Sequence, residues 1–152
     1  MLKREKLKFN LSNNDVDIII KKMEFYRTEV DSCGNIEKAN KAFDFAVKKI
    51  CELIYCKRFD LFVELLKNKK PVIVYTMALF LLPISEIKTF KRLLKLFILK
   101  GYSVNSQTLW AEYKSGRLKF PKLINGKVIY VFKEEYLEQF TQEEKKQILS
   151  SV

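Results

Sequence analysis

The sequence predicts a mainly α-helical protein, an α-solenoid-like stack of about six helices followed by a small C-terminal β-hairpin and a closing helix. Three observations carry this expectation. Only 4 Gly and 3 Pro punctuate 152 residues, too few for a sandwich or barrel of short strands. Apolar residues make up 48% of the chain and recur three and four apart through most of the stretch 15–116, the period of a helix with one buried side. Helix-starting and helix-stopping residues stand at the ends of those periodic segments. The length suits a single domain over 1–152, with a helical core over 12–116 and the hairpin and short helix over 117–152.

Residues 1–11 read as a basic arm or short extended segment. Ser12, Asn13 and Asn14 offer capping oxygens, and Asp15 and Asp17 suit a helix N-terminus. The first helix is expected from Asp15 to Asp31 on an apolar stripe of Ile18, Ile19, Met23, Tyr26 and Val30, and Cys33-Gly34-Asn35 breaks it. Asn35 caps a second helix, Ile36 to Cys56. Its apolar side carries Ala39, Ala42, Phe43, Ala46, Val47, Ile50, Leu53 and Ile54, and its charged side Lys41, Lys48, Lys49 and Glu52. A third runs from Arg58 to Leu66 on Phe59, Phe62, Val63 and Leu66. Pro71 suits the first position of a fourth. Val72-Ile73-Val74-Tyr75-Thr76 is locally strand-like, but the run continues through Met77-Ala78-Leu79-Phe80-Leu81-Leu82, and its length favours a helix. Being apolar on all sides, it is expected to be the most buried helix, with Leu79 in the core, and Pro83 ends it.

The clearest amphipathic helix is expected from Glu86 to Leu99. Ile87, Phe90, Leu94, Phe97 and Ile98 form one face. Lys88, Lys91, Arg92 and Lys95, at i, i+3, i+4 and i+7, form a basic arc about 100° wide. Gly101 is a natural stop. Ser103 or Asn105 caps a helix carrying Leu109, Trp110 and Tyr113, and Ser115-Gly116 ends it. Asn125-Gly126 is a two-residue hairpin signal between Leu118–Leu123 and Lys127–Phe132, with Pro121 confining its strand to an edge. Thr141-Gln142-Glu143-Glu144 is a capping box ahead of a closing helix with Ile148 and Leu149. The helices over 35–116 alternate amphipathic and more apolar members. Such pairs bury their faces only by stacking, which is the solenoid logic.

Histidine is absent. That removes a His general base, Ser-His and Cys-His pairs and histidine metal ligands. No Gly-rich phosphate loop frames Lys69-Lys70 or Lys91-Arg92. Asp44, Glu52, Glu64 and Glu112 read as solvated face residues or lysine partners rather than an acid–base pair. Cys33, Cys51 and Cys56 match neither a disulfide framework nor a zinc spacing, and read as reduced thiols of the cytoplasm. The start of the chain lacks the apolar stretch of a signal peptide. The longest apolar run, Val72 to Ile84, is too short to span a bilayer. The expectation is therefore a cytoplasmic non-enzyme without cofactor or metal.

Charge points to the partner. The net charge is +11. Residues 1–40 carry 8 basic and 7 acidic side chains, 41–80 carry 8 and 4, 81–120 carry 8 and 2, and 121–152 carry 5 and 5. The excess in the middle favours an acidic partner. Only five of the 29 basic residues are Arg, at 4, 27, 58, 92 and 117. Dedicated phosphate readers lean more on Arg, whose planar fork grips phosphate in two places. An acidic protein is thus expected ahead of nucleic acid, which stays open as the alternative.

The stretch from Asn40-Lys41-Ala42-Phe43-Asp44 to Pro121 resembles a bacterial HEAT-like helical-repeat family of uncharacterised function. The similarity lies in three places: the Asn-Lys start of the long helix, the Lys67-Asn68-Lys69-Lys70-Pro71-Val72-Ile73-Val74 turn-to-helix step with its apolar run to Pro83, and Leu109-Trp110-Ala111-Glu112-Tyr113-Lys114-Ser115-Gly116-Arg117-Leu118. It covers roughly half of the chain. The family's Arg two residues after the Pro-x-Val step has no counterpart here, where Ile73, Val74 and Tyr75 stand. The resemblance implies a HEAT/armadillo-like α-solenoid that binds proteins, and some members are suspected immunity proteins that neutralise a cognate toxin. HEAT-like folds also include DNA glycosylases with an aromatic-lined cleft, to which Trp110 with Tyr113 would correspond. The candidate partner-binding residues are Lys88, Lys91, Arg92, Lys95, Trp110 and Tyr113.

Overall fold

The structure, a computed structural model, describes residues 11–68, 70–85, 88 and 111–151. It is mainly helical with one two-stranded antiparallel sheet, and among the described residues no helix is long and apolar enough to cross a membrane. All of the expected basic arm at 1–11 but Leu11, most of the amphipathic helix over 86–99 and the helix start at Ser103 or Asn105 lie outside the described residues. The chain divides into two compact units, Met1–Asn68 with Leu123–Val128, and Lys69–Lys122 with Ile129–Val152.

The first unit is built on three helices: α1 (Asn13–Asp31), α2 (Ile36–Tyr55) and α3 (Phe59–Leu66). Ser12 caps α1 through a capping box. Its side chain accepts from Asn14 N–H at 3.3 Å, and its own N–H donates to Asp15 Oδ2 at 2.7 Å, satisfying donors that the helix start leaves without intrahelical partners. Asn35 does the same for α2, accepting from Lys38 N–H at 3.0 Å. Both helices stop in one way. Cys33 N–H bonds to the Val30 carbonyl and Gly34 N–H to that of Glu29, while Lys57 N–H bonds to Ile54 and Arg58 N–H to Leu53. These are paired Schellman closures. Their left-handed residues are Cys33 (φ 53°) and Lys57 (φ 58°), not glycine. The break expected at Cys33-Gly34-Asn35 therefore exists, but Gly34 is not the residue that takes the positive φ.

Contacts run in opposite order along the two long helices: Asp15 meets Lys49, Lys22 meets Phe45, and Tyr26 meets Phe43. α1 and α2 are thus an antiparallel hairpin, and both pack on α3. Ile19 and Met23 of α1 and Ala39, Ala42, Ala46, Ile50 and Leu53 of α2 are buried. The small alanines allow close approach, and each buried large aliphatic side chain contributes about 1.5–3 kcal/mol. Of the stripe expected on α1, Ile18, Tyr26 and Val30 are only half-buried, and Val16 is buried in addition.

In the second unit, α4 (Pro71–Leu81) carries Pro71 at its first turn. Burial decides the helix-versus-strand conflict: Val72, Ile73, Val74, Met77, Ala78, Phe80 and Leu81 all leave water, and the Thr76 hydroxyl is satisfied by the Val72 carbonyl at 2.8 Å. Leu79, expected in the core, is only half-buried with Tyr75 one turn before it. A run without charged residues, whose Thr76 is itself buried, carries no phase, so the sequence could not mark its outward side. Residues 111–114 are helical and end at Gly116 (φ 78°). Strand β1 (Phe120–Ile124) pairs with β2 (Lys127–Val131) in a hairpin whose turn end, Leu123–Val128, is counted with the first unit. Asn125 (φ 50°) and Gly126 (φ 77°) form the turn, as the mirror-image two-residue turns of hairpins require. α5 (Lys133–Leu137) and α6 (Gln142–Leu149) follow. α6 starts on its capping box, Glu144 N–H to Thr141 Oγ1 at 3.1 Å and Thr141 N–H to Glu144 Oε1 at 2.8 Å. α5 was not foreseen. It delivers Tyr136 into the core, where the hydroxyl donates to the Phe80 carbonyl at 2.8 Å.

Candidate binding groove

The sequence placed the partner surface on a basic arc. Of its residues, Lys88 is helical and exposed; Lys91, Arg92 and Lys95 lie outside the described residues, as does Trp110. Tyr113 is half-buried. It stands edge-on to Phe120, with ring centroids 6.2 Å apart, and Lys133 Nζ lies 4.9 Å from its centroid. From Phe120 the contacts continue to Tyr136 and on to Phe140. Tyr113 is thereby engaged in the aromatic row of the second unit.

The first unit holds a surface that the sequence reading did not single out. A groove of about 660 Å³ is lined by Ile18, Lys21, Lys22 and Phe25 of α1 and Lys38, Lys41, Ala42 and Phe45 of α2. Each set of four is spaced i, i+3, i+4, i+7, which places it on one helix face. The core residues Ile19, Met23, Ala39 and Ala46 occupy the other sides. Each wall repeats a Lys one turn before a Phe, Lys21 with Phe25 and Lys41 with Phe45. Phe25 is 41% exposed and Phe45 43%, so two phenyl rings stand in water on adjacent helices.

The electrostatics are lopsided. Lys22 Nζ lies 5.3 Å from the Phe45 ring centroid and Lys49 Nζ 5.9 Å, within cation–π range. Lys41 has Glu37 at 3.5 Å, both side chains being largely exposed. Among the described residues, no ion pair joins Lys21, Lys22 or Lys38 to a carboxylate. Lys49 faces the other way as well, with Asp15 Oδ1 at 3.3 Å and Glu52 Oε1 at 3.5 Å. Asp15 and Glu52 are 7% and 6% exposed. Glu52 was read from sequence as a solvated face residue or a lysine partner; it is buried, and Lys49 is the lysine.

Burial, with the Glu52 carboxylate next in weight, pushes the Cys51 thiol up to about 12, away from the thiolate that a nucleophile or metal ligand needs. Among the described residues, no group of three or more Cys, Asp or Glu side chains could hold a metal ion. The groove itself offers apolar surface and cationic tips, and its lining holds no carboxylate, thiol or hydroxyl. Charge windows could not have found it, because its lysines sit in or beside the balanced segment 1–40. The available signal was the helix phase of Lys21, Phe25, Lys41 and Phe45.

Compared with models of known protein families, with curated proteins and with solved structures, the chain matches none.

Proposed function

We propose that this protein is a cytoplasmic helical-repeat module of HEAT-like, solenoid type that binds an acidic protein and performs no catalysis itself. The groove between α1 and α2 carries this reading: two exposed phenyl rings stand among lysines of which three have no carboxylate partner among the described residues. Exposed aromatic surface is a recurrent anchor of interfaces, and unbalanced like charge accelerates encounter with a partner of opposite sign. Neutralising a cognate bacterial toxin, as an immunity protein does, is the concrete form of this function. The exposed Lys88, with Lys91, Arg92, Lys95 and Trp110, would belong to a second basic contact surface.

The net charge of +11 favours nucleic acid as the rival. Affinity capture with the purified chain, with and without nuclease, separates the two. The expected result is a nuclease-resistant acidic protein whose association slows as salt rises while dissociation changes little. Recovery of nucleic acid alone, with log affinity falling linearly against log salt, would replace this reading with the rival.

A further inference from the structure

We infer that the groove between α1 and α2 receives a short acidic amphipathic helix of the partner, its apolar side chains seated between Phe25 and Phe45 and its carboxylates on Lys21, Lys22 and Lys38. This rests on the protein-binding reading above and adds to it the segment that is bound and the place where it binds.

Four observations on the groove select this occupant. The first is its shape. Two antiparallel helices make parallel walls, and a third helix laid between them can insert side chains at i, i+3 or i+4, and i+7, the helix-in-groove mode of peptide recognition. A volume of about 660 Å³ holds a few side chains of one helical face rather than a domain. The second is the lining. Ile18, Phe25, Ala42 and Phe45 supply apolar surface, and the lysines add their aliphatic stems with the charged tips at the rim. An apolar stripe flanked by carboxylates is complementary to that layout.

The third is the charge balance. Lys41 already has Glu37. Lys21, Lys22 and Lys38 have no carboxylate among the described residues and gain one each when an acidic segment arrives. The fourth is the state of the Phe45 ring, which decides against a nucleic acid. Two ammonium groups, from Lys22 and Lys49, lie over it. A nucleobase stacking on Phe45, the usual way aromatic rings engage single strands, would compete with those cations for the ring. A carboxylate on Lys22 leaves the cation over the ring, and an aliphatic anchor can pack against the ring edge. Beyond its lysines, the groove lining holds no Arg, Asn or Gln to read base edges.

The probe is a fluorescein-labelled, end-blocked peptide of about 16 residues, long enough for a free helix to begin to persist. Leu occupies i, i+4 and i+7, and Glu and Ala fill the rest. The controls are a scrambled peptide of the same composition and a labelled oligothymidylate. Binding is read by fluorescence anisotropy on the full chain, and by amide chemical shifts. The expected result is tighter binding of the designed peptide than of either control, by about tenfold or more. Shifts should centre on Lys21, Lys22, Phe25, Lys38, Ala42 and Phe45. Phe45→Ala and the double variant Lys22→Glu/Lys38→Glu should each weaken the peptide by about tenfold or more. All these side chains are exposed, so the variants should keep the wild-type circular dichroism and melting curve. A third variant, Phe25→Ala, repeats the test from the other wall if Phe45→Ala melts early.

Equal binding of scrambled and designed peptides would reduce the groove to non-specific charge and overturn the inference. Tighter binding of oligothymidylate, lost in Phe45→Ala, would overturn it in favour of nucleic acid. No peptide binding, or shifts elsewhere, would overturn it as well. The broader reading fails separately: a captured protein partner that binds the groove variants as well as wild type leaves the protein-binding function standing and removes only the groove.

Discussion

Tyr136 ties the C-terminal part of the second unit to α4, and removing only its hydroxyl tests how. The side chain is completely buried. Its hydroxyl donates at 2.8 Å to the carbonyl of Phe80, 56 residues away in sequence. Phe80 lies in the last turn of α4, where carbonyls lack intrahelical donors; the next amides, Ile84 and Ser85, bond to Leu81 instead. Tyr136→Phe keeps the ring and its contacts with Phe120 at 5.6 Å and Phe140 at 5.5 Å. It should therefore cost only the hydrogen bond and the desolvated carbonyl left behind, about 1–2 kcal/mol. Tyr136→Leu removes the two ring contacts too, at about 0.5–1.5 kcal/mol each, and should bring the total to about 2–5 kcal/mol. Urea unfolding followed by far-ultraviolet circular dichroism measures both. The midpoint should fall in the order wild type, Phe variant, Leu variant, with an unchanged slope. A Phe variant indistinguishable from wild type would mean that the Phe80 carbonyl is satisfied some other way, and the helix-end argument would be wrong.

Further perturbations address other elements. Met77 is fully buried and Leu79 half-buried, so Met77→Ala should cost about 2–5 kcal/mol and Leu79→Ala clearly less, by the same urea titration. Lys57→Gly should raise the thermal midpoint, because a left-handed L-residue costs about 1–2 kcal/mol, partly offset by the greater freedom of glycine in the unfolded chain; a lower midpoint would contradict the αL closure at φ 58°. A thiol reagent at neutral pH should modify the exposed Cys33 promptly and Cys51 only on unfolding. The sign of the pH effect follows: the folded thiol at about 12 stays protonated while the unfolded one ionises. Cys51 therefore favours the fold below its ordinary value of 9.0, and that contribution is lost as pH rises from there toward about 12, by up to about 1.4 kcal/mol per unit.

What the sequence disclosed was what chemistry fixes locally. Ser12, Asn35 and Thr141 cap helices because a side-chain oxygen sits two or three residues before a free amide, a relation visible in any window of four. Asn125-Gly126 turns a hairpin because both residues accept positive φ. Pro71 and Gly116 mark ends for equally local reasons. The rest needed neighbours. The burial of Asp15 and Glu52 depends on Lys49, which answers Asp15 across the α1–α2 hairpin and Glu52 one turn along α2. Tyr136 enters the core on a helix too short to show a period. Phe25 and Phe45 sit one step outside the apolar stripes of their helices, and only the pairing of those helices brings them into one groove. A count along the chain averages the two faces of a helix, so segment 1–40 looked neutral while the α1 face over 18–25 is basic.

Apart from the buried Ala42, which also lines the groove, the groove and the fold use different faces of α1 and α2, and Lys49 serves both. Lys22 and Lys49 both place an ammonium over Phe45, yet their other surroundings differ. Lys22 is exposed, and its replacement by Ala should change stability by under about 0.5 kcal/mol. Lys49 holds Asp15 and Glu52, whose side chains are 10% and 8% exposed. Removing this shared cation would leave two carboxylates nearly out of water. A fully buried pair broken on one side costs about 3–5 kcal/mol; the Lys49 side chain is 26% exposed, so water can enter and about 1–3 kcal/mol is the expected loss for Lys49→Ala. Lys49→Ala/Asp15→Asn/Glu52→Gln should recover much of it, since uncharged amides no longer need the cation. Thermal denaturation of the three variants checks this. If Lys49→Ala proved as harmless as Lys22→Ala, the carboxylates would be solvated after all, and the division of the hairpin into a structural and a binding face would lose its fixed point.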